Sequence, residues 1–123
     1  MVNGSNKKMH KQIPFGNRKI GEGAPVVIIA EIGINHEGDT GHCARLIDEA
    51  AAAGADAIKL QTVDPDENYL PGTQSHELFS RGYLSAEATA GAFNLAKSLG
   101  MEAFTITGLR TFDWVERLEP AAY

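Results

Sequence analysis

A helix end, a glycine and a short strand occur twice in the chain with the same spacing, and this repeat constrains the fold more than any other feature. The first copy covers residues 50–58, A-x-x-x-G-A-D-A-I, and the second covers residues 96–104, A-x-x-x-G-M-E-A-F. Strands that alternate with helices in this way pair in parallel through right-handed crossovers. The repeat predicts an α/β architecture, either a doubly wound sheet or a barrel, and the pattern alone does not choose between them.

Hydrophobic periodicity locates the elements around this repeat. A nearly continuous apolar, β-branched run predicts a strand buried on both faces, and apolar residues three and four apart predict amphipathic helices. Capping residues and glycines predict where the helices begin and end. The predicted elements, in order, are a strand at 25–30, a helix from Thr40 to Gly54, a strand at 57–61, a helix from Ser85 to Gly100, a strand at 103–107 and a short helix from 111 to 118.

Composition narrows the class of protein. With 43% hydrophobic and 22% charged residues, the chain has the composition of a globular domain, and its net charge of −5 argues against a nucleic-acid partner. The single cysteine, Cys43, cannot form an internal disulfide, and no apolar run reaches the ~18–20 residues of a membrane span. We therefore predict a cytoplasmic protein with no membrane partner. Residues 1–14 are predicted to be a flexible polar leader, and residues 15–123 the folded part.

The connection from Val63 to Leu84 shows no clear periodicity and exceeds the ~12–15 residues usual for loops in compact domains. It follows a strand and precedes a helix. In a parallel α/β fold this places it at the carboxyl ends of the strands, where such folds bind ligands. Asp64, Asp66 and Glu67 cluster here and suggest either a cation site or an acidic, solvated loop; the pattern favours the second, because the glycine and distal glutamate of a calcium loop are missing.

Polar side chains are dense where the first strand ends. The segment E-I-G-I-N-H-E-G contains Glu31, Asn35 and His36 together with two glycines, Gly33 and Gly38, that allow unusual backbone angles. Polar groups at the carboxyl end of a buried strand are costly unless they are paired. A ligand-binding or catalytic role and a polar turn that caps the next helix are both consistent with this pattern.

The second predicted strand carries a lysine, which is unusual. Lys59 and Gln61 are two residues apart and so point to the same side of the sheet. On an interior side the ammonium would bind a phosphate or a carboxylate, whereas on an edge strand it would face water and oppose aggregation. Thr105 and Thr107 occupy the repeat-equivalent positions on the third strand, which favours the interior interpretation and predicts that they line the same side as Lys59.

Four segments together resemble the N-acetylneuraminate (sialic acid) synthase family, which includes pseudaminate and legionaminate synthases. The most specific is I-I-A-E-I-G-I-N-H-E-G-D at 28–39, and the similarity extends over residues 15–123. The other three segments are F-G-N-R-K-I-G at 15–21, G-A-D-A-I-K-L-Q-T at 54–62 and P-A-A-Y at 120–123. The resemblance implies the first three βα units of a (β/α)8 TIM barrel, followed in the family by the rest of the barrel and an antifreeze-like domain.

The resemblance also implies an activity. Such enzymes condense phosphoenolpyruvate with an open-chain N-acyl amino sugar similar to N-acetylmannosamine, and they release phosphate. The C3 carbon of phosphoenolpyruvate attacks the aldehyde, and water adds at C2. A divalent metal, Mn²⁺ or Mg²⁺, polarises the aldehyde oxygen, and its histidine ligands lie on later strands, outside this chain. The resemblance further implies a homodimer at full length.

Carried over residue by residue, the resemblance implies that Lys59 and Thr107 contact the anionic groups of phosphoenolpyruvate and that Gln61 lies near the sugar. Glu31 would face the reacting centre, where it orients water, takes a proton or positions the sugar. Its carboxylate and the Lys59 ammonium are expected to converge at the tips of neighbouring parallel strands. Asn35 and His36 would shape the turn or contact substrate. One departure concerns Thr107, since I-T-G-L at 106–109 stands where the family usually has S-T-P-F.

Three βα units would leave strand edges unpaired in a barrel that needs eight, so we expect a partial sequence. An alternative from another class is a non-catalytic half-barrel that serves as a binding or dimerisation module. In-frame coding sequence beyond Tyr123 would favour the enzyme, and a stop codon with a folded product would favour the module.

Overall fold

The computed structural model describes residues 11–123. Five strands and five helices lie in this range. They are β1 (Gln12–Phe15), β2 (Arg18–Gly21), β3 (Ile29–Gly33), α1 (Thr40–Ala52), β4 (Ala57–Thr62), α2 (Pro65–Asn68), α3 (Gln74–Arg81), α4 (Ala86–Ser98), β5 (Glu102–Thr107) and α5 (Leu109–Glu116). Most of the predicted leader, residues 1–10, lies outside the described residues, but residues 12–14 belong to β1, so regular structure begins before the boundary predicted at residue 15.

A parallel sheet with the order β3-β4-β5 forms the centre of the fold. Ala30 of β3 pairs with Ile58 of β4, and Ile58 pairs in turn with Ala103 of β5. Helix α1 connects β3 to β4, and α4 lies in the connection from β4 to β5. The predicted α/β architecture with parallel strands is confirmed.

Helices α1 and α4 cover one face of this sheet and form the core with it. Cys43 and Ile47 of α1 and Phe93 of α4 are 0–2% exposed, and they pack in one cluster with Ile58 and Leu60 of β4. Burial of such side chains stabilises the fold by about 1.5–3 kcal/mol each. The opposite side of the sheet, which carries Glu31, Lys59, Gln61, Phe104 and Ile106, is called the open face below.

The repeated sequence corresponds to the same kind of helix end in α1 and α4. Gly54 and Gly100 have φ angles of 85° and 81°, a left-handed conformation that favours glycine. The next residue after each glycine donates its backbone N–H to an alanine carbonyl in the last turn, Ala55 to Ala50 and Met101 to Ala96, both at 3.0 Å. This pattern terminates a helix and turns the chain into the following strand.

The hairpin of β1 and β2 closes the amino-terminal end of the open face. The ring of Phe15 packs edge-on against Phe104 with centroids 5.4 Å apart. The backbone N–H of Asn17 donates to Glu102 at 2.7 Å, and Arg18 forms an ion pair with Asp56 at 2.8 Å. These contacts leave the carboxyl-terminal end of the open face as the accessible end.

The first strand of the sheet differs from its prediction. It begins at Ile29 rather than at residue 25, and Val26 and Ile28 are 80% and 56% exposed. Within residues 11–123, β3 is an edge strand with β4 as its one neighbour, and Ile29, on the open face, is 43% exposed. The prediction of a doubly buried strand at 25–30 is therefore wrong for this chain.

The connection from residue 63 to residue 84 contains two short helices that the sequence pattern did not reveal. Asp64 caps α2 through a 2.9 Å hydrogen bond from the backbone N–H of Asp66, and Thr73 caps α3. Both helices are too short to show a hydrophobic period. The third predicted helix also shifts, because α5 begins at Leu109 and places Thr111 inside its first turn.

Candidate active site

Glu31 and Lys59 are register partners on β3 and β4, and their side chains form an ion pair on the open face. The Nζ atom of Lys59 lies 2.6 Å from Oε2 of Glu31, and the two side chains are 26% and 48% exposed. Their predicted proximity is confirmed. The prediction that the pair lies at the strand tips is wrong, because both residues lie near the middle of their strands.

Gln61 lies on the same face of β4 as Lys59, opposite a bulge in β3. The register shifts between Glu31 and Gly33, which places Ile32 in the core at 5% exposure and gives Gly33 a φ angle of 57°. A Cβ atom on Gly33 would lie 3.4 Å from Oε1 of Glu31 and 3.9 Å from Nε2 of Gln61. These are ordinary van der Waals distances, so the φ angle is what favours glycine here, and the carboxylate and the carboxamide both lie beside this residue. Bulges of this kind are frequent beside active sites.

The predicted alignment of Thr105 and Thr107 with Lys59 is wrong. Lys59 pairs with Phe104, while Thr105 pairs with Leu60 on the covered face and is 0% exposed. Residues that pair in parallel strands share a face, and successive residues alternate between faces. The repeat pairs Lys59 with Thr105, whereas the sheet pairs it with the preceding residue, and this one-residue stagger moves both threonines to the other side.

Thr105 and Thr107 instead belong to a group of hydrogen-bonded hydroxyls, here called the threonine cluster, with Thr62 and Thr111. The Oγ1 atoms of Thr62 and Thr105 are 2.7 Å apart, as are those of Thr107 and Thr111. The Thr111 hydroxyl donates to the carbonyl of Thr62 at 2.7 Å. The cluster ties the carboxyl ends of β4 and β5 to the start of α5. The role of Thr107 as a ligand of an anion stays a prediction.

Asn35 and His36 separate into two different environments. His36 is 1% exposed, and its Nδ1 accepts a 3.1 Å hydrogen bond from the backbone N–H of Gly38. Burial lowers the pKa of His36, although its hydrogen bond with the Gly33 backbone opposes this effect. Of its two predicted roles the geometry favours shaping the turn, whereas Asn35 is exposed and accessible to a ligand.

The acidic residues of the 63–84 connection are neither a cation site nor simply solvated. Asp66 pairs with His76 at 2.6 Å, and Asp64 pairs with Arg110 at 3.2 Å. The hydrogen bond and charge of Asp64 raise the pKa of Arg110. Glu67 accepts hydrogen bonds from the first backbone amides of α5. Sequence reasoning missed these partners, because ion pairs between residues so distant in sequence leave no local pattern.

A metal site is not formed by this part of the chain. Across residues 11–123 there is no group of three or more histidine, cysteine, aspartate or glutamate side chains able to hold a metal ion. Within the same range, no helix has the length and apolar character needed to cross a membrane. The polar groups available to a ligand on the open face are Glu31, Lys59 and Gln61.

Known proteins resemble this chain in sequence and in structure. N,N'-diacetyllegionaminic acid synthase of Legionella pneumophila is 34% identical over 85% of the chain and 32% of its own length. A crystal structure of N-acetylneuraminic acid synthetase from Leptospira borgpetersenii superposes with a TM-score of 0.84 at 28% identity, over 90% of this chain and 39% of the synthetase. The chain is similar to synthases of sialic acid and of related acids over about a third of their length.

A shorter segment of the chain is similar to a further protein. The spore coat polysaccharide biosynthesis protein SpsE of Bacillus subtilis is 53% identical over 55 residues, which are 45% of this chain and 15% of SpsE. No protein-family model matches the chain. The chain spans about a third of the length of the curated synthases that it matches.

Proposed function

We propose that, in a protein of the length of its relatives, this chain contributes to the condensation of phosphoenolpyruvate with an N-acyl amino-sugar aldehyde. The observation that carries the proposal is the Lys59–Glu31 pair on the open face, beside Gln61. The pair supplies one cation, Lys59, for an anionic substrate and one carboxylate, Glu31, for proton transfer or for activation of water. The names of the related synthases support a nonulosonic acid as the product.

Each side chain of this group has a task in the proposed reaction. The Lys59 ammonium binds the carboxylate or the phosphate of phosphoenolpyruvate, and Gln61 hydrogen-bonds the sugar. The new C–C bond forms between C3 of phosphoenolpyruvate and the aldehyde carbon, whose oxygen takes up a proton. Water adds at C2, and expulsion of phosphate leaves a 2-keto acid. Glu31 orients the water, accepts its proton or positions the sugar.

We further propose that β3, β4 and β5 are the first three strands of a (β/α)8 barrel with the open face as its interior. Beyond β5, the backbone N–H of Ala121 donates to the Ala103 carbonyl at 2.9 Å, which would be the first rung of a fourth strand. The 63–84 connection then lies on the catalytic face of the barrel. Cytoplasmic location and homodimerisation stay predictions.

The divalent metal implied by the resemblance does not fit the described residues, which offer no cluster of ligands for it. No step above is assigned to a metal. In the proposal its ligands come from the remaining two thirds of a synthase of this kind.

The test is an assay of the protein encoded by the complete reading frame that contains this sequence. Phosphate release and the mass of the 2-keto acid product are measured with phosphoenolpyruvate, Mn²⁺ or Mg²⁺, and either N-acetylmannosamine or a diacetamido hexose. Product formation that depends on both substrates supports the proposal. Absence of product with every acceptor, from a folded protein, contradicts it.

A binding or dimerisation module is the second candidate, favoured by apolar side chains that the described part leaves uncovered. Ile29 on β3 and Ile106 on β5 are both 43% exposed, and Leu109 at the start of α5 is 90% exposed. A second copy could cover these residues. A stop codon after Tyr123 together with a dimer in analytical ultracentrifugation would support the module, and a longer reading frame would support the synthase.

A further inference from the structure

A cavity of about 590 Å³ lies between the loop that follows β3 and the helix α3 in the connection that follows β4. The residues that line it come from both segments and are Ile34, Asn35, Glu37, Leu78, Arg81 and Gly82. Loops at the carboxyl ends of parallel strands form the ligand sites of such folds, and small-molecule sites usually have volumes of about 300–1,000 Å³. The cavity therefore has the place and the size of a subsite for a small molecule.

Close contacts between the two segments fix the walls of this cavity. Gly38 has a φ angle of 76°, and a Cβ atom there would collide with the backbone carbonyl of Arg81. A Cβ atom on Gly82 would lie 3.0 Å from Cβ of Ile34. The backbone N–H of Gly38 also donates to the buried ring of His36. The two segments are thus packed directly against each other, so the cavity is formed before a ligand arrives.

Three polar side chains in the walls are available to a ligand. Asn35, Glu37 and Arg81 are exposed, and within residues 11–123 their side chains form no hydrogen bond or ion pair. A carboxamide both donates and accepts hydrogen bonds, a carboxylate accepts them, and a guanidinium donates them. Glu37 also has a φ angle of 54°, which residues other than glycine seldom adopt, and such strain is frequent at ligand sites.

The cavity adjoins the group formed by Glu31, Lys59 and Gln61. Ile34, one of the lining residues, directly follows Gly33 in the chain. A Cβ atom on Gly33 would lie 3.4 Å from Oε1 of Glu31 and 3.9 Å from Nε2 of Gln61. A ligand that hydrogen-bonds Gln61 can therefore extend past Gly33 into the cavity.

The chemistry of the walls favours the acceptor sugar over phosphoenolpyruvate as the occupant. The Glu37 carboxylate needs a hydrogen-bond donor, and a sugar offers several hydroxyls, whereas fully ionised phosphoenolpyruvate offers no donor. The Arg81 guanidinium matches the oxygen of an acyl carbonyl, and the apolar side chains of Ile34 and Leu78 match an acyl methyl group. An N-acyl amino sugar has a partner for each of these groups.

We propose that this cavity is the subsite for the acylamino group of the acceptor sugar, with Arg81 and Glu37 as specificity-determining residues. The inference rests on the proposed function, which supplies the class of acceptor. Arg81 donates to the acyl carbonyl oxygen, Leu78 contacts the acyl methyl group, and Glu37 accepts a hydrogen bond from a neighbouring hydroxyl.

The first experiment measures binding to the complete protein without phosphoenolpyruvate, by titration in saturation-transfer-difference NMR. The probes are N-acetylmannosamine, a diacetamido hexose and mannose, which lacks the acylamino group. The wild type should bind the better acylated sugar at least about fivefold more tightly than mannose. Arg81→Ala should weaken binding of that sugar about tenfold and remove most of the preference, because the partner of the acyl carbonyl is lost.

Arg117→Ala is the matched control, because Arg117 is an exposed arginine that follows α5 and lies outside the cavity. It should bind every probe as the wild type does. Equal affinities of Arg81→Ala and this control for all three probes would overturn the subsite. A wild-type protein that binds neither acylated sugar would overturn it as well.

Glu37→Gly separates a binding role from a structural one. Glycine adopts the φ angle of position 37 without strain, so the melting temperature should be unchanged or higher. The affinity for the acylated sugar should nevertheless fall about tenfold, because a hydrogen bond to a charged group is lost. A lower melting temperature with unchanged affinity would show that Glu37 only shapes the loop, and it would overturn the assigned role.

The last experiment measures steady-state kinetics of the complete enzyme. Arg81→Ala should raise KM for the acceptor sugar about tenfold and leave KM for phosphoenolpyruvate within about twofold, and Arg117→Ala should change neither. Product formation with the same acceptor KM in both variants overturns the subsite and leaves the proposed function standing. If the wild type makes no product, the proposed function fails, while the binding titrations still decide whether the cavity takes an acylated sugar.

Discussion

The Nζ atom of Lys59 lies 2.6 Å from Oε2 of Glu31, and the two residues are register partners on neighbouring parallel strands. This ion pair is partly exposed, and pairs of this kind contribute only about 0–1 kcal/mol to stability. The pair lies on the open face, beside Gln61. A role in the proposed substrate binding therefore explains its presence better than a contribution to stability does. In the proposed reaction, an anionic substrate that approaches Lys59 would compete with Glu31 for the ammonium, and the carboxylate would then lie next to the reacting atoms.

Lys59→Ala in the complete enzyme should raise KM for phosphoenolpyruvate about 10–100-fold, because a charged hydrogen bond of about 1.5–3 kcal/mol is lost. The fold should be retained, since this side chain lies outside the core. Steady-state kinetics with varied phosphoenolpyruvate make the measurement, and Lys19→Ala, an exposed lysine on β2, is the matched control. Kinetics of Lys59→Ala that equal those of the control would refute the assigned role.

Phe15→Ala should destabilise the chain by about 3–5 kcal/mol, because Phe15 is 5% exposed and its ring packs against Phe104. The hairpin would then separate from the amino-terminal end of the open face. Urea unfolding followed by circular dichroism gives the free energy of unfolding. Ile13→Ala on the same hairpin, where the side chain is 53% exposed, should change it by less than about 0.5 kcal/mol. Equal effects of the two substitutions would show that the hairpin is not anchored through Phe15.

The pH dependence of stability should contain a contribution from His36. Burial lowers its pKa below the ordinary 6.5, so the unfolded chain takes up a proton at a higher pH than the folded chain does. The contribution is complete above about pH 6.5 and is lost as the pH falls from there towards the lowered pKa of the folded state. Urea unfolding at several pH values should show this decline, and His36→Gln should remove it. His42→Gln should leave most of it, because burial is the largest cause; a decline that persists in His36→Gln would assign it to other groups.

Cys43 should be protected from thiol reagents in the folded chain. It is 2% exposed, and burial raises the pKa of its thiol, so little reactive thiolate forms near neutral pH. Reaction with a disulfide reagent at about pH 8 should be at least ~100-fold slower in buffer than in about 8 M urea. Since Cys43 is the single cysteine of the chain, the colour yield reports this site alone. Fast, stoichiometric labelling of the native chain would show that the contact between α1 and the sheet opens readily.

Local patterns were sufficient to predict much of the architecture. The period of the apolar residues predicted α1 and α4, and the glycines at 54 and 100 predicted where those helices end, because both signals act over a few neighbouring residues. The proximity of Lys59 and Glu31 was predicted from two neighbouring parallel strands, but the position of the pair near the middle of those strands was not. The predicted strand at 25–30 failed because coverage of both faces depends on neighbours that a strand does not itself specify.

The one-residue stagger between β4 and β5 could not be predicted from such local patterns. It places Thr105 and Thr107 on the side of the sheet opposite to Lys59, although the repeat aligns Thr105 with Lys59 and Thr107 with Gln61. Register is set by how helices and side chains pack across the whole sheet. A shift of one residue is invisible in the repeat and reverses the direction of every side chain.

The sequence by itself determined the alternation of strands and helices, the residues of the core and the group of polar residues around Glu31 and Lys59, because these depend on side-chain chemistry and short-range spacing. Tertiary structure alone decided the strand register, the burial of His36 and the contact between Glu67 and the start of α5. The physical reason is that these features arise where segments distant in the chain meet, and their geometry depends on the packing of all of them at once.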